Sequence, residues 1–317
     1  MQPNRNIRKQ AAYNSMFREW DTQSSVRRYT RIVFQDEEDM GKVYFPPKLV
    51  PVVQHPFVVK LGPAVRREIL IQHLYNYLEF TSCFEVEMVN WGVKRIFLRK
   101  TGFELSEEIL LDAYKIYCDE GYHSLFCADL RSQIQAATGI TPNRLDFQAF
   151  MLKLEKVQEP APEYLKPTTR LFIVILFETL ISLILQQIPK DEEVISAVRR
   201  SISDHADDEA RHHSYFSNVL DIIWPQIAKE QQSMIGPLLL HFIIRSLEPQ
   251  LETIKRRLAK FDLAQDEIEQ IVEESYPRSE VIAGIRKTAR VTLSILERNR
   301  IYEDPETLEA FRMSGLL

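Results

Sequence analysis

Apolar residues recur at spacings of three and four over most of this chain of 317 residues, a pattern typical of helices that bury one face. Only 9 residues are Gly and 45% are hydrophobic, so the chain can bury a sizeable core. We therefore predict an all-α fold. The pattern places long core helices over 65–98, 106–138, 164–188 and 192–223, and a shorter helix over 145–157.

The segments on either side of these core helices are predicted to be additions to one domain. Residues 1–64 form an N-terminal arm, with a short helix near 14–30 and a proline-bearing connection over 45–63. Beyond residue 223 the pattern predicts further helices over 237–261, 266–275 and 280–298, packed against the bundle or against a second subunit of a homodimer. No linker or low-complexity block divides the chain, so we predict a single domain over 1–317.

One five-residue motif, Asp-Glu-x-x-His, occurs twice within predicted core helices. The copies are Asp119-Glu120-Gly121-Tyr122-His123 and Asp208-Glu209-Ala210-Arg211-His212. A Glu and a His three positions apart lie on the same face of a helix, so each copy can present a carboxylate and an imidazole to one point. Ferritin-like four-helix bundles build two-metal sites from two such helices plus one Glu from each remaining helix. The duplication therefore predicts a ferritin-like bundle with a two-metal carboxylate centre.

Glu178 is the best candidate for one of the additional carboxylates, because it interrupts the apolar run 171–185. An unpaired, ionised carboxylate buried there would cost several kcal/mol, so it must be protonated, paired or bound to a metal. The run has fifteen residues, fewer than the roughly 20 that cross a bilayer. We predict a buried metal ligand and no membrane span.

Helical phase selects the other ligands. In the first core helix one stripe contains Leu74, Leu78, Thr81, Glu85 and Met88. Glu87 lies about 200° around the helix from Glu85, so Glu85 is preferred. In the fourth core helix the stripe contains Ile202, His205, Glu209, His212, Phe216 and Val219. His205 thus joins the ligand face as a third imidazole, whereas His213 is expected beside the site.

Several neighbouring residues are expected to support these ligands or to serve the fold. Asp119 and Asp208 are predicted to accept hydrogen bonds from the ligand imidazoles and to fix their tautomers. Arg211 is expected to pair with a ligand carboxylate, with Asp208, or in a surface salt bridge. Gly121 suggests a bulge or a close helix contact. The residues interpreted as structural are His55, His73, His241, Cys83, Cys118 and Cys127, with the cysteines buried as small hydrophobes.

This set of residues resembles the p-aminobenzoate N-oxygenase family, the AurF-like di-iron oxygenases. The matching positions are Glu85, Glu120-x-x-His123, Glu178 and His205-x-x-x-Glu209-x-x-His212, with Tyr77-Leu78-Glu79-Phe80-Thr81 and Val89-Asn90 around the first. The third histidine distinguishes this family from ordinary ferritin-like sites, which use two. The resemblance covers roughly residues 61–216.

The resemblance implies an O2-dependent monooxygenase of natural-product biosynthesis, in which the di-iron centre itself is catalytic. Its substrate would be a small-molecule amine, free or bound to a carrier, oxidised to a hydroxylamine, nitroso or nitro product, with electrons from an external partner. Four Glu and three His suit Fe or Mn. Iron is preferred because the negative charges of four carboxylates balance the positive charges of two Fe(II) ions.

Two other functions remain open at this point: a di-iron carbon hydroxylase or desaturase, and a non-enzymatic iron store or radical-generating subunit. The ligands do not encode the substrate, whose pocket is predicted only by proximity. Its candidate residues are Tyr77, Thr81, Phe84, Phe177 and Thr179.

Charge and cysteine usage limit the partners and the compartment. The net charge of −5, with scattered basic clusters, argues against a nucleic-acid surface. Residues 1–10 lack the apolar stretch of a signal peptide, and the three Cys show no Cys-x-x-Cys spacing. A cytoplasmic protein is therefore expected.

Overall fold

The computed structural model describes residues 13–28, 30–35, 39–144, 147–180, 185 and 187–317. These residues are helical or irregular, and β-type pairing among them is limited to an isolated parallel bridge between Val43 and Val194. The predicted all-α fold is confirmed. None of the helices in these ranges combines the length and apolar character needed to cross a bilayer.

The arm and the first core helix differ in detail from the predicted elements. In place of a helix near 14–30, the arm contains two short helices, α1 (Trp20–Gln23) and α2 (Ser25–Arg28). The connection over 45–63 contains a short helix, α3 (Pro56–Lys60). The first core helix is α4 (Pro63–Phe84), and it leads without a break into further helical turns.

A π-helical turn, Glu85–Val89, joins α4 to α5 (Asn90–Phe97). The Asn90 N–H donates to the Glu85 carbonyl, five residues back, where an α-helix would use four. Such turns insert one residue into a helix and are frequent at functional sites. The predicted helix over 65–98 is therefore continuous, but it contains a π-helical turn that begins at Glu85.

The remaining core helices lie close to their predicted ranges. They are α6 (Glu107–Thr138), α7 (Phe147–Val157), α8 (Lys166–Leu180) and α9 (Ser196–Ile223). The Ser106 hydroxyl caps α6 by accepting from the Ile109 N–H. Helix α6 runs unbroken past Gly121, where an added Cβ would meet nothing within 4 Å, so the predicted bulge or close contact is wrong. Residues 29, 145, 146, 181–184 and 186 of the predicted helices lie outside the described residues.

The C-terminal helices are α10 (Lys229–Leu247), α11 (Leu251–Leu258), α12 (Gln265–Ser275), α13 (Arg278–Arg298) and α14 (Pro305–Met313). The predicted single helix over 237–261 is wrong. Pro237 lies inside α10, and α10 ends at Leu247, before α11 begins at Leu251. Helix α14 was not predicted. Gly236 lets α14 approach α10, since a Cβ at this position would lie 2.2 Å from the Thr307 hydroxyl oxygen.

Two apolar clusters fill the core, and a polar layer separates them along α6 and α9. Cluster A includes residues 109–116 of α6, 215–223 of α9, 171–180 of α8 and 235–243 of α10. Cluster B includes residues 127–134 of α6, 197–202 of α9 and 70–78 of α4. Both copies of the Asp-Glu-x-x-His motif lie between the clusters. The fold therefore holds the motif residues in the middle of its longest helices.

Candidate metal centre

The polar layer brings together the seven residues that the sequence selects as metal ligands, and all seven are buried. They form two groups that could each hold a metal ion, because the ligand atoms within each lie within 4.8 Å of one another. The first group is Glu85, His123, His205 and Glu209, and the second is Glu120, Glu178, Glu209 and His212. Helices α6, α8 and α9 and the π-helical turn each contribute.

Glu209 belongs to both groups, and Glu120 of the second group also contacts an imidazole of the first, so these two glutamates join the groups. The Oε2 atom of Glu120 is 3.2 Å from Nδ1 of His123, and its Oε1 atom is 3.1 Å from Nδ1 of His212. Oε1 of Glu209 lies 3.6 Å and 3.1 Å from the same two nitrogens. A carboxylate that faces both groups can bridge two metal ions.

Glu85 and Glu178 lie at opposite ends of the cluster. Oε1 of Glu85 is 3.0 Å from Nε2 of His205, which is also 3.2 Å from Oε1 of Glu209. Oε2 of Glu178 is 3.9 Å from Nδ1 of His212. The first group therefore contains two imidazoles and the second contains one, so the two halves of the centre are chemically unequal.

The donor atoms fit a pair of cations. Each of the four carboxylates has an oxygen that is buried without a hydrogen-bond partner: Glu85 Oε2, Glu120 Oε1, Glu178 Oε2 and Glu209 Oε2. Burial raises the pKa of Glu178 well above its ordinary value, and neighbouring Glu209 raises it further. Burial likewise raises the pKa of Glu85 to about 7. Bound cations would satisfy these oxygens and stabilise the ionised carboxylates.

The two aspartates pair crosswise with the two motif histidines. Nε2 of His123 is 3.0 Å from Oδ2 of Asp208, and Nε2 of His212 is 3.3 Å from Oδ2 of Asp119. Each imidazole can therefore donate from Nε2 to an aspartate and keep the lone pair of Nδ1 directed at the glutamates. This is the arrangement in which an outer hydrogen bond fixes the tautomer of a metal-binding histidine.

The N-terminal arm holds both aspartates from outside. The Trp20 indole N–H donates to both carboxylate oxygens of Asp119, at 2.8 and 2.9 Å, and the Ser24 hydroxyl donates to Oδ1. The Ser25 backbone N–H lies 3.2 and 3.3 Å from the oxygens of Asp208. These contacts were not predicted, because the arm has no periodic pattern or repeated motif.

Two further residues pack against this layer. The guanidinium of Arg211 pairs with Asp208, the second of the partners considered for it. The ring of Phe17, also from the arm, stacks on the ring of His212, with 6.1 Å between centroids and 15° between planes. The motif imidazoles are thus enclosed on their outer side as well as within the bundle.

The residues set aside by helical phase are not members of the ligand groups. Glu87 is exposed whereas Glu85 is buried, and His213 is half-buried and belongs to neither group. Cys127 is buried and Cys83 half-buried, but Cys118 is exposed, so the prediction of burial is wrong for Cys118.

The predicted substrate-pocket residues lie on α4 and α8. Thr179 donates to the Leu176 carbonyl at 2.7 Å and contacts the Thr292 hydroxyl at 2.9 Å, which directs it toward α13. The rings of Phe84 and Phe177 pack together within cluster A, with centroids 3.8 Å apart. Tyr77 and Thr81 lie on α4, where burial raises the pKa of Tyr77 well above its ordinary value.

An all-α bundle with a buried layer of carboxylates and imidazoles on four helical segments is the architecture of the ferritin-like metalloproteins. Comparison with protein families assigns the chain more narrowly. Residues 7–295 match the model of the family described as p-aminobenzoate N-oxygenase AurF, and the chain belongs to this family. The match extends well beyond residues 61–216 and includes residues 7–64 of the arm. No curated protein matches the chain.

Proposed function

We propose that this protein is a di-iron oxygenase that uses O2 to oxidise the amine nitrogen of a small molecule. Membership in the p-aminobenzoate N-oxygenase family supports an oxygenase. The observation that carries the proposal is the pair of ligand groups joined by Glu120 and Glu209. A single-metal or purely structural site would not need four buried carboxylates with unpartnered oxygens.

The ligand atoms assign each residue a role. Glu85, His123 and His205 would hold one iron, Glu178 and His212 would hold the other, and the two glutamates that join the groups would be shared. Oxygen and neutral nitrogen donors of this kind suit iron, with manganese as the alternative. The negative charges of four ionised carboxylates would balance the positive charges of two Fe(II) ions, so the buried centre would be nearly neutral.

The iron pair, when bound, supplies the redox chemistry with O2. The chain holds the metal ligands in a fixed geometry, since Asp119 and Asp208 orient the imidazoles and the arm orients the aspartates. The apolar clusters on both sides of the polar layer exclude bulk water. One oxygen atom would enter the product and the other would leave as water, with electrons and protons from an external donor.

The proposal is tested by loading the protein with Fe(II) without air, measuring the metal content, and then adding O2, an electron donor and a panel of amines. We expect two irons per chain and hydroxylamine, nitroso or nitro products detected by mass spectrometry. Products hydroxylated on carbon, with the amine intact, would favour the hydroxylase alternative. Two bound zinc ions and no response to O2 would contradict the proposal.

The biological context is a separate part of the proposal. A role in natural-product biosynthesis predicts that the gene lies beside genes for peptide or polyketide assembly. Comparing the oxidation rate of an amine free in solution with that of the same amine on a carrier domain distinguishes the two forms of substrate.

A further inference from the structure

The outer face of α6 is uncharged over most of its length. Among residues 111–137 of this helix, the exposed residues include no Asp, Glu, Lys or Arg. The large exposed side chains are those of Leu111, Tyr114, Tyr117 and Leu125, which are between 41% and 63% exposed. A helix at the surface of a globular protein ordinarily carries charged and polar residues on its outer face. This face therefore differs from an ordinary solvated one.

The charged side chains of α6 within this stretch face other parts of the chain. Asp119 and Glu120 are buried in the polar layer. The others form ion pairs within the chain at distances between 2.8 and 3.1 Å, which join Asp112 to Lys115, Asp129 to Arg31 and Arg131 to Glu79. The charges of the helix are thus placed at its inner face and its flanks, and the outer face is left apolar.

Seven exposed residues on this face form one stripe, because their spacing alternates between three and four. They are Leu111, Tyr114, Cys118, Gly121, Leu125, Ala128 and Ser132. The same spacing forms the contact seam of two-stranded coiled coils. At 1.5 Å per residue and a helix width of about 10–12 Å, the stripe covers roughly 300–400 Å². Apolar patches of this size are often functional contact surfaces.

The sizes of these residues are complementary about Gly121, which lies at the middle of the stripe. Positions at equal distances on either side of it combine one large residue with one small residue. The combinations are Leu125 with Cys118, Tyr114 with Ala128, and Leu111 with Ser132. Two antiparallel copies of α6 that cross at Gly121 would place the members of each combination opposite each other, so that large side chains fill the space beside small ones. Parallel copies would instead place Tyr114 against Tyr114 and Ala128 against Ala128.

Gly121 also permits a close approach of two helices at the crossing point. Within the chain, a Cβ at this position would meet nothing within 4 Å, although a Gly inside a helix costs about 1 kcal/mol relative to Ala. Packed helices lie about 8–10 Å apart. At that distance a Gly or an Ala fits at the crossing point, whereas a large side chain would hold the helices apart.

We propose that this protein forms a two-fold symmetric dimer in which the α6 helices of two copies pair antiparallel through the stripe. The occupant of the face is a second copy, because the size combinations are related by the two-fold axis that such an interface requires. Phe97 stacks on Tyr114, with ring centroids 3.9 Å apart, so this ring is held in place before a partner binds.

The area of the stripe agrees with a dimer interface. A stable interface buries about 800 Å² on each partner, so the stripe would form roughly its central half and the flanking residues would form its rim. The inner face of the same helix carries Glu120 and His123. The dimer therefore places one ligand cluster on each side of the paired helices, and its formation does not depend on the proposed chemistry of the metals.

Disulfide trapping tests both the partner and the direction of pairing. In the antiparallel pairing, residue 125 of one copy lies opposite Cys118 of the other, so Leu125→Cys should give a disulfide-linked dimer under mild oxidation. Within one chain these positions are two helical turns apart, about 10 Å, which is too far for a disulfide. Adding Cys118→Ser to this variant is the control and should abolish the linked dimer on a non-reducing gel.

Each other result of the trapping experiment overturns a part of the proposal. Linkage of the wild-type protein through Cys118 alone would show that the helices pair in parallel. Linkage that persists after Cys118→Ser would show that residue 125 contacts a different part of the partner. Absence of linkage in Leu125→Cys would overturn the pairing through this face.

Sedimentation of the full chain measures the dimer directly, and we expect twice the mass of one chain at micromolar concentration. Leu125→Glu places two unpaired charges in the interface and should weaken dimerisation by about a hundredfold or more. Because Leu125 is 63% exposed, the fold should be retained, which circular dichroism checks. The matched control is Leu152→Glu, at a leucine of α7 that is 48% exposed, and it should dimerise as the wild type does. A monomeric wild type, or equal dimerisation of the two variants, would overturn the proposal.

Discussion

Nε2 of His123 lies 3.0 Å from Oδ2 of Asp208, a residue of the other Asp-Glu-x-x-His helix. The reciprocal contact joins His212 to Asp119 at 3.3 Å. Each motif thus completes the other: the Glu and His of one copy face each other through Nδ1, and the Asp of the opposite copy contacts Nε2. The spacing within one motif places a Glu and a His together as candidate metal ligands. The repeat of the motif supplies the Asp–His contacts that join α6 to α9.

Double-mutant cycles should reveal this crosswise pairing. Asp119→Asn should weaken iron binding by about tenfold, because the partner of the His212 imidazole becomes a weaker acceptor. The effect should be strongly non-additive with His212→Gln and closer to additive with His123→Gln. Iron titrations of the single and double variants give the coupling energies. Stronger coupling within one copy than between copies would contradict the crosswise arrangement.

The arm should affect the metal centre without contacting a metal. Trp20→Phe removes the indole N–H that donates to Asp119, and we expect iron to dissociate several-fold faster while the helical content stays unchanged. Trp91→Phe is the control, since Trp91 packs against Arg170 away from this layer. The rate of iron transfer to a chelator measures the effect. Equal rates in the two variants would show that Trp20 only fills space.

The choice of carboxylates is tested by metal content. Glu178→Ala removes a ligand and leaves a hole in an apolar helix, so the variant should hold fewer than two irons per chain. Glu87→Ala should retain two irons, because Glu87 is exposed and Glu85 occupies the buried position. A loss of iron from Glu87→Ala would show that the π-helical turn rearranges when metal binds.

His205 should separate metal binding from oxygenation. His205→Ala leaves four glutamates and two imidazoles, so the variant should retain nearly two irons. The change in one iron's donor set should still lower amine oxidation by about tenfold or more. His213→Ala, at a half-buried neighbour outside both groups, should retain both properties. Wild-type product yield from His205→Ala would make His205 a structural histidine.

Two helical glycines should respond in opposite directions to substitution by Ala. Gly236→Ala should destabilise the protein by about 1–3 kcal/mol, because the added Cβ would overlap Thr307. Gly121→Ala should stabilise it by about 0.5–1 kcal/mol, since open space surrounds that position and Ala favours helix. Denaturant titration measures both. Destabilisation by Gly121→Ala would indicate a constraint beside Glu120.

The bundle and the seven ligand candidates could be selected from the sequence because helical periodicity and burial act on the same residues. Glu178 was identifiable because an unpaired, ionised carboxylate buried in an apolar helix is energetically costly. Glu85 and His205 followed from phase within single helices, which needs no knowledge of tertiary contacts. Periodicity is a local property of the sequence, and the selection of Glu85 and His205 within their helices depends on it alone.

Other features depend on contacts that no local pattern records. The π-helical turn at Glu85–Val89 shifts the phase after Glu85, yet its sequence reads as ordinary helix. Trp20 and Ser24 contact a residue about a hundred positions away through side chains in a short, irregular arm. The sequence predicts a helix that begins at Pro237, and proline is enriched at the first position of helices, but α10 begins at Lys229 and contains Pro237.

The arm also makes the assembly of this protein sequential. Trp20 and Ser24 bind a residue of α6 while Ser25 binds a residue of α9, so their combined docking surface exists only after those two helices have paired. We therefore expect the arm to dock only after α6 and α9 have paired. The fraction of molecules in which the arm resists a protease would therefore measure the fraction in which α6 and α9 have paired.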